Sequence, residues 1–191
     1  MMQAPAGSAG PSLIVVMGVA GSGKTTIASA LAERLEVAFV EGDALHPHAN
    51  VEKMASGTPL TDEDRWPWLR AIGATMESER RVGRGVVVSC SALKRAYRDC
   101  IRSMVKGPVR FILLNGPREL IALRMAGRKG HFMPPALLDS QLATLERPDA
   151  DEDAIILDIT ETVGQLVDEA YAAAKARPAG GMPDAQVGRT A

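Results

Sequence analysis

Aromatic residues make up only 4% of the chain, and there are only two cysteines, Cys90 and Cys100, outside any C-x-x-C pair. This excludes a disulfide-stapled scaffold and reads as free thiols in a reducing cytoplasm. The three histidines (His46, His48 and the distant His131) fit no zinc template, and no cysteine supports them. Neither sign of charge is in excess: 22 basic against 23 acidic residues leave a net charge of −1. No overall field therefore favours nucleic acid or an anionic membrane, and any anion must be recognised by a local cluster. No apolar run approaches membrane-spanning length. Met1–Pro11 has no basic region ahead of an apolar core, so it does not read as a signal peptide. Internal repeats and interior low-complexity segments are also missing.

What the chain does have is Gly18-Val19-Ala20-Gly21-Ser22-Gly23-Lys24-Thr25, which fills every fixed position of G-x-x-x-x-G-K-[ST]. A β-branched run, Leu13–Met17, leads in. A helical pattern, with Ile27, Leu31 and Leu35 at i, i+4 and i+8, leads out. Such a strand–loop–helix brings backbone N–H groups and the positive end of a helix to one anion. Gly18 through Thr26 are thus the expected nucleotide-binding residues. Lys24 can reach the β- and γ-phosphates of ATP, and the Thr25 hydroxyl can ligate Mg²⁺.

The length of 191 residues suits one domain. Further apolar runs at Val37–Glu41, Val86–Ser89, Val109–Leu114 and Ala154–Asp158 alternate with helical patterns at Lys94–Val105, Pro117–Ala126 and Thr160–Ala176. This predicts an α/β fold whose parallel sheet is covered on both faces. Pro117 is expected at the first helical position and Thr160 as an N-cap. Val163, Leu166, Val167, Ala170 and Ala174 form the expected buried stripe of the last helix. Tyr97, Cys100, Ile101 and Met104 form that of the Lys94–Val105 helix. Residues 1–11 read as a flexible N-terminal tail, 12–176 as the single domain, and 177–191, rich in Gly, Pro and Ala, as a disordered C-terminal tail. Two stretches break the alternation. Residues 43–68 are too long and polar for a plain connection, and 124–135 contain a second irregular excursion. They are the expected acceptor side and lid. Trp66 and Trp68, on either side of Pro67, are expected to pack the first excursion on the body, with Pro67 kinking its helix or starting a new segment.

The third apolar run, Val86–Ser89, continues Cys90-Ser91 without the acid that Walker-B ATPases and GTPases use near Mg²⁺, and no Asn-Lys-x-Asp run is present. The second run ends Val40-Glu41-Gly42-Asp43, which supplies a different acid pair. At i and i+2 the two carboxylates leave a strand on the same face. One can steady the waters around Mg²⁺, and the other can take the proton of an attacking hydroxyl. Arg124 and Arg128 share a helix face, with Lys129 and His131 next. Arginines over a γ-phosphate stabilise the charge of the transition state. Lys94, Arg95 and Arg98 form another positive set facing the acceptor pocket, with Arg95 off the apolar helix face. The planar fork of Arg65 suits a bidentate carboxylate or phosphate. Cys90 and Cys100 are read as small buried hydrophobes.

Taken together, residues 18–25, Glu41–Pro47, Asn50–Leu60, Asp62–Arg65 with Pro67-Trp68-Leu69, Cys90–Lys94 with Tyr97-Arg98-Asp99, Arg128–Phe132 and Gln141–Asp151 resemble the gluconokinase family. The resemblance extends from the first strand to the last. It implies ATP-dependent phosphorylation of D-gluconate at its 6-hydroxyl, feeding the pentose phosphate pathway. The implied fold is that of the nucleoside monophosphate kinases, a three-layer α/β/α P-loop fold. It has a five-stranded parallel sheet in the order 2-3-1-4-5, a mobile lid and commonly a homodimer. The acid-x-acid is also similar to that of shikimate kinase. Carried over, Asp43 becomes the base and Glu41, standing where Asp is common, the acid that meets Mg²⁺ through water. Arg65 matches the acceptor-binding arginine, and Arg124 and Arg128 match the lid. The expected catalytic residues are Lys24, Asp43, Arg124 and Arg128. The expected gluconate contacts are Asp43, His46, Arg65, Lys94, Arg98 and His131, with Thr25 and Glu41 at the metal.

Overall fold

The structure is a computed structural model that describes residues 10–127 and 135–176. Five parallel strands pair in the order β2-β3-β1-β4-β5, with β1 Leu13–Met17, β2 Ala38–Glu41, β3 Val86–Ser89, β4 Arg110–Asn115 and β5 Ala154–Asp158. The implied order is the observed one. The apolar run LIVVM puts a side chain on each face in turn, since successive Cβ atoms alternate. Ile14 and Val16 join one core with Ile27, Leu31, Ile121, Leu138 and Leu166. Leu13, Val15 and Met17 join the other with Trp68, Leu69, Ile72, Tyr97 and Ile101. Helices α1 (Lys24–Leu35) and α7 (Val163–Lys175) thus cover one face, with α3 (Asp62–Arg81) and α4 (Arg95–Ser103) on the other. Burial is complete along β1 and β3. It is partial along the edge strands β2 and β5, where Ala38 and Ile156 are exposed.

The excursion at 43–68 becomes a 3₁₀ turn (Gly42–Leu45), α2 (His48–Ala55) and the start of α3. Thr61 caps α3 in a reciprocal box with Asp64. Pro67 lies in the second turn of α3, and the helix runs through it to Arg81 as one element rather than starting a new segment there. Both tryptophans dock the excursion as expected: Trp68 is fully buried, and Trp66 meets Tyr97 edge-on. The chain continues through α5 (Arg118–Ala126) and α6 (Pro135–Thr144).

Several local expectations are corrected. Pro117 is the extended N-cap of α5, not its first helical residue. Thr162, not Thr160, caps α7, because Gln165 completes a capping box with Thr162 while Thr160 bonds the Asp158 carboxylate. Val163, just inside that cap, is therefore exposed. On α4 Tyr97 and Ile101 are buried as expected, but Met104 is exposed and Arg98 takes a buried place. Cys90 is buried, whereas Cys100 is half-buried; both thiols are free. No helix among the described residues is long and apolar enough to cross a membrane.

Candidate active site

The phosphate-type loop lies where β1 runs out and α1 begins. Gly23 is the left-handed N-cap of α1 (φ 97°), a conformation that costs glycine little. Gly21 supplies close approach: a Cβ there would come within 2.5 Å of Met125 Cγ on α5. The Lys24 ammonium lies 3.0 Å from the Val19 carbonyl. Thr25 and Thr26 stand exposed in the first turn of α1, where backbone N–H groups have no helical partner. The Ser22 hydroxyl is buried without a hydrogen-bond partner. An unpaired buried hydroxyl is costly, and this one lies against Gly18, the first residue of the loop, where a Cβ would come within 2.8 Å of it.

Glu41 joins this loop to the sheet. Its carboxylate accepts the Thr25 hydroxyl at 2.7 Å on one oxygen and the Ser89 hydroxyl on the other. Residues 41 and 89 are partners in the β2–β3 register. Ser89, at the strand end where Walker-B proteins carry their acid, thus orients an acid on the neighbouring strand. The sequence reading missed this residue, although a polar side chain closing an otherwise apolar run was a signal. Gly42 must be glycine here, since a Cβ would lie 2.0 Å from the Ser89 carbonyl. The pair Thr25–Glu41 fits Mg²⁺. That ion takes few protein oxygens and keeps water and phosphate for the rest, so the lack of a larger acidic or His/Cys cluster among the described residues is no obstacle.

The strand ends at Glu41, so strand periodicity does not orient Asp43 as expected; the 3₁₀ turn does. Trp68 fixes this turn by donating its indole N–H to the Gly42 carbonyl at 2.7 Å. His46 stacks on the same indole, with centroids 4.0 Å apart, and its ring nitrogen meets the Asn50 carboxamide at 3.3 Å. Burial lowers the His46 pKa, with Asp43 acting against the shift and Arg65 with it. Burial also pushes the Cys90 thiol up to about 12, reinforced by Asp43 and opposed by Lys24 and Arg65. Asp43, Lys24 and Arg65 therefore act on one buried sulfur, which brings the predicted base, the phosphate lysine and the predicted clamp into one electrostatic neighbourhood.

Arg65 lies over the Tyr97 ring, 5.7 Å from its centroid, and reaches the Leu60 carbonyl. Lys94 is paired with Asp62 at 2.8 and 2.9 Å, and Asp62 also accepts the Tyr97 hydroxyl. Asp62 and Tyr97 were not singled out as site residues from sequence. Arg98 is a correction. Its guanidinium is fully buried and holds Glu152 in two hydrogen bonds of 2.7 Å while donating to the Glu146 carbonyl. It is spent inside the fold and does not face an acceptor. Arg95 is likewise engaged, with Asp149 and Asp151. Arg124 donates to the Ile159 carbonyl at 2.8 Å, beyond the end of β5. Arg128 and His131, with most of the 124–135 lid, lie outside the described residues, as do most of the two predicted tails.

Over residues 13–148 the chain matches a family described as an AAA domain. It is 52% identical over 145 residues to a gluconokinase of Gluconobacter oxydans, covering 76% of this chain and 81% of that protein. The chain belongs to the gluconokinase family. It is also 44% identical to the thermoresistant gluconokinase of Escherichia coli, covering 81% of this chain and 89% of that one. The structure of a gluconokinase from Sinorhizobium meliloti superposes with a TM-score of 0.79 at 49% identity, over 86% of this chain and 91% of the other. An APS kinase of Mycobacterium tuberculosis, at 18% identity and a TM-score of 0.65, shares the fold. The AAA-domain match runs from the start of β1 past the end of α6 and so includes the loop, Glu41, Asp43 and Arg65.

Proposed function

We propose that this gluconokinase-family chain transfers the γ-phosphoryl group of ATP to the 6-hydroxyl of D-gluconate, giving 6-phospho-D-gluconate and ADP. The observation that carries the reading is the Glu41 carboxylate, tied to the loop threonine Thr25 on one side and to Ser89 on the other, two residues before Asp43. A plain Gly-rich turn would need no such acid. Lys24 and the loop N–H groups hold the triphosphate, and Asp43 receives the proton of the 6-hydroxyl as that oxygen bonds to the γ-phosphorus. The bond from phosphorus to the bridging oxygen breaks, and its electrons leave with ADP. Thr25 and, through water, Glu41 would hold Mg²⁺, which neutralises charge on the phosphates.

Arg65 takes the gluconate carboxylate, and His46 and Lys94 face its hydroxyls. Lys94 is half-satisfied by Asp62, so it serves as an oriented donor rather than a free charge. Arg124 is read as a lid arginine that meets the transferring phosphoryl group, which requires it to leave the Ile159 carbonyl. We further read the enzyme as a cytoplasmic homodimer, in keeping with its free thiols and the implied family habit. Light scattering of the purified protein checks the dimer.

The decisive experiment is coupled ADP release across D-gluconate, other aldonates, shikimate and nucleoside monophosphates. Stimulation by gluconate is expected. Stimulation by shikimate or a nucleotide instead would replace the acceptor, and tight ATP binding with no acceptor-stimulated release would make the chain a nucleotide-binding regulator.

A further inference from the structure

The loop is held by Gln141, the first residue of the Gln141–Asp151 stretch, to which the sequence reading gave no role. The Oε1 of Gln141, on α6, accepts the N–H of Ala20 at 2.7 Å, across 121 residues of sequence. The carbonyl of the same peptide unit, that of Val19, accepts the Lys24 ammonium at 3.0 Å. No peptide bond among the described residues is cis, so the carbonyl and N–H of this unit point in opposite directions. Lys24 and Gln141 therefore grip one peptide from its two sides. Next along the chain, Gly21 packs on Ile121 and Met125 with no room for a Cβ, so α5 backs the loop as α6 does.

We propose that Gln141 is a positioning residue for Lys24, acting through the Val19–Ala20 peptide; the assignment rests on the kinase reading above. A carboxamide oxygen behind the loop fixes which way that peptide faces. With its N–H engaged on Gln141, the unit presents its carbonyl inward, and this carbonyl holds the lysine ammonium at the mouth of the cradle. Without Gln141 the N–H loses its acceptor, and the peptide is held on its carbonyl side alone, by the Ser22 N–H at 3.3 Å and by Lys24. The carbonyl that the ammonium meets is then less firmly placed. A charged group displaced in this way harms the transition state more than substrate binding, because the charge it must meet develops during transfer.

Leucine, similar in size but without an acceptor, and glutamate, which retains one, separate this role from packing. Because Gln141 stands on the side of the peptide away from Lys24, the glutamate charge is separated from the ammonium by the peptide. In Gln141→Leu we expect kcat to fall about tenfold, with the KM for ATP within about threefold of wild type and the melting temperature lowered by no more than about 4 °C. The Ala20 amide should lose hydrogen-exchange protection in the ¹⁵N-labelled protein. Gln141→Glu should restore both. Wild-type kcat in Gln141→Leu would overturn the assignment, as would equal loss of kcat in the leucine and glutamate variants. If the wild-type protein failed to phosphorylate gluconate, the acceptor reading would fall. The Ala20 amide and the turnover of whichever acceptor the wild type accepts would still judge Gln141.

Discussion

Thr25 and Glu41 stand 16 residues apart, and the Thr25 hydroxyl donates to the Glu41 carboxylate at 2.7 Å. One belongs to the first turn of α1 and the other ends β2, so the contact ties the nucleotide loop to the strand that leads into the acceptor turn. The other Glu41 oxygen is held by Ser89, which leaves the carboxylate little freedom to turn. A metal-oriented hydroxyl gains from such support, since outer partners fix ligand direction.

Glu41→Ala should raise the Mg²⁺ concentration for half-maximal rate about tenfold, and Ser89→Ala should act in the same direction but less. A Mg²⁺ titration of the initial rate at saturating ATP tests this. An unchanged Mg²⁺ requirement in Glu41→Ala would remove Glu41 from the metal.

Asp43→Asn keeps the shape of the side chain and removes the proton acceptor. Its kcat should fall about 10²- to 10⁴-fold, the usual worth of a general base, with little change in melting temperature. Near-normal turnover in this variant would end the role of Asp43 as base.

Arg65→Ala should raise the KM for gluconate about 10- to 100-fold, as a charged hydrogen-bonding partner is lost, and move kcat less. Steady-state kinetics with gluconate as the varied substrate decides the point. An unchanged KM would dispose of the clamp.

His46 is held below its ordinary pKa of 6.5 chiefly by burial against Trp68. Its ring should therefore stay neutral at pH 6.5 and gain its proton only at lower pH. The unfolded chain takes up this proton first, so the stability that His46 contributes is present above pH 6.5 and declines as the pH falls below it. An NMR titration of the His46 ring midpoint at or above 6.5 would contradict this.

Arg98 and Glu152 form the buried pair of the fold. Burial alone would raise the Glu152 pKa, but hydrogen bonds from Arg98 and Arg102 outweigh it and bring the carboxyl to about 2. The folded value is below the unfolded one, so the stability from this group is full above about pH 4.5 and is lost as the pH falls toward 2. Glu152→Gln at neutral pH leaves the Arg98 charge buried without a counter-charge and should cost about 3 kcal/mol, or roughly 6–12 °C in Tm. An unchanged thermal midpoint would show that the pair contributes nothing.

The alternation of apolar runs with helical patterns, the loop Gly18–Thr25 and the acid pair Glu41 and Asp43 were legible in the linear chain. Each is a matter of local spacing: periods of two and of about four residues and a fixed glycine pattern are set by neighbouring backbone geometry. The use made of each polar side chain was not legible. Arg98 reads in the sequence as a cation facing the acceptor, yet it is buried because a carboxylate 54 residues away turns inward at the same place. Ser89 reaches Glu41 across 48 residues only because β2 and β3 are neighbours in the sheet. The grip of Gln141 on Ala20, across 121 residues, depends on where α6 lies against the loop. The sequence by itself determined which elements form and where a triphosphate can be held. Tertiary packing decided which charges are free to meet a substrate, because a hydrogen bond depends on distance in space and chain separation carries little information about it.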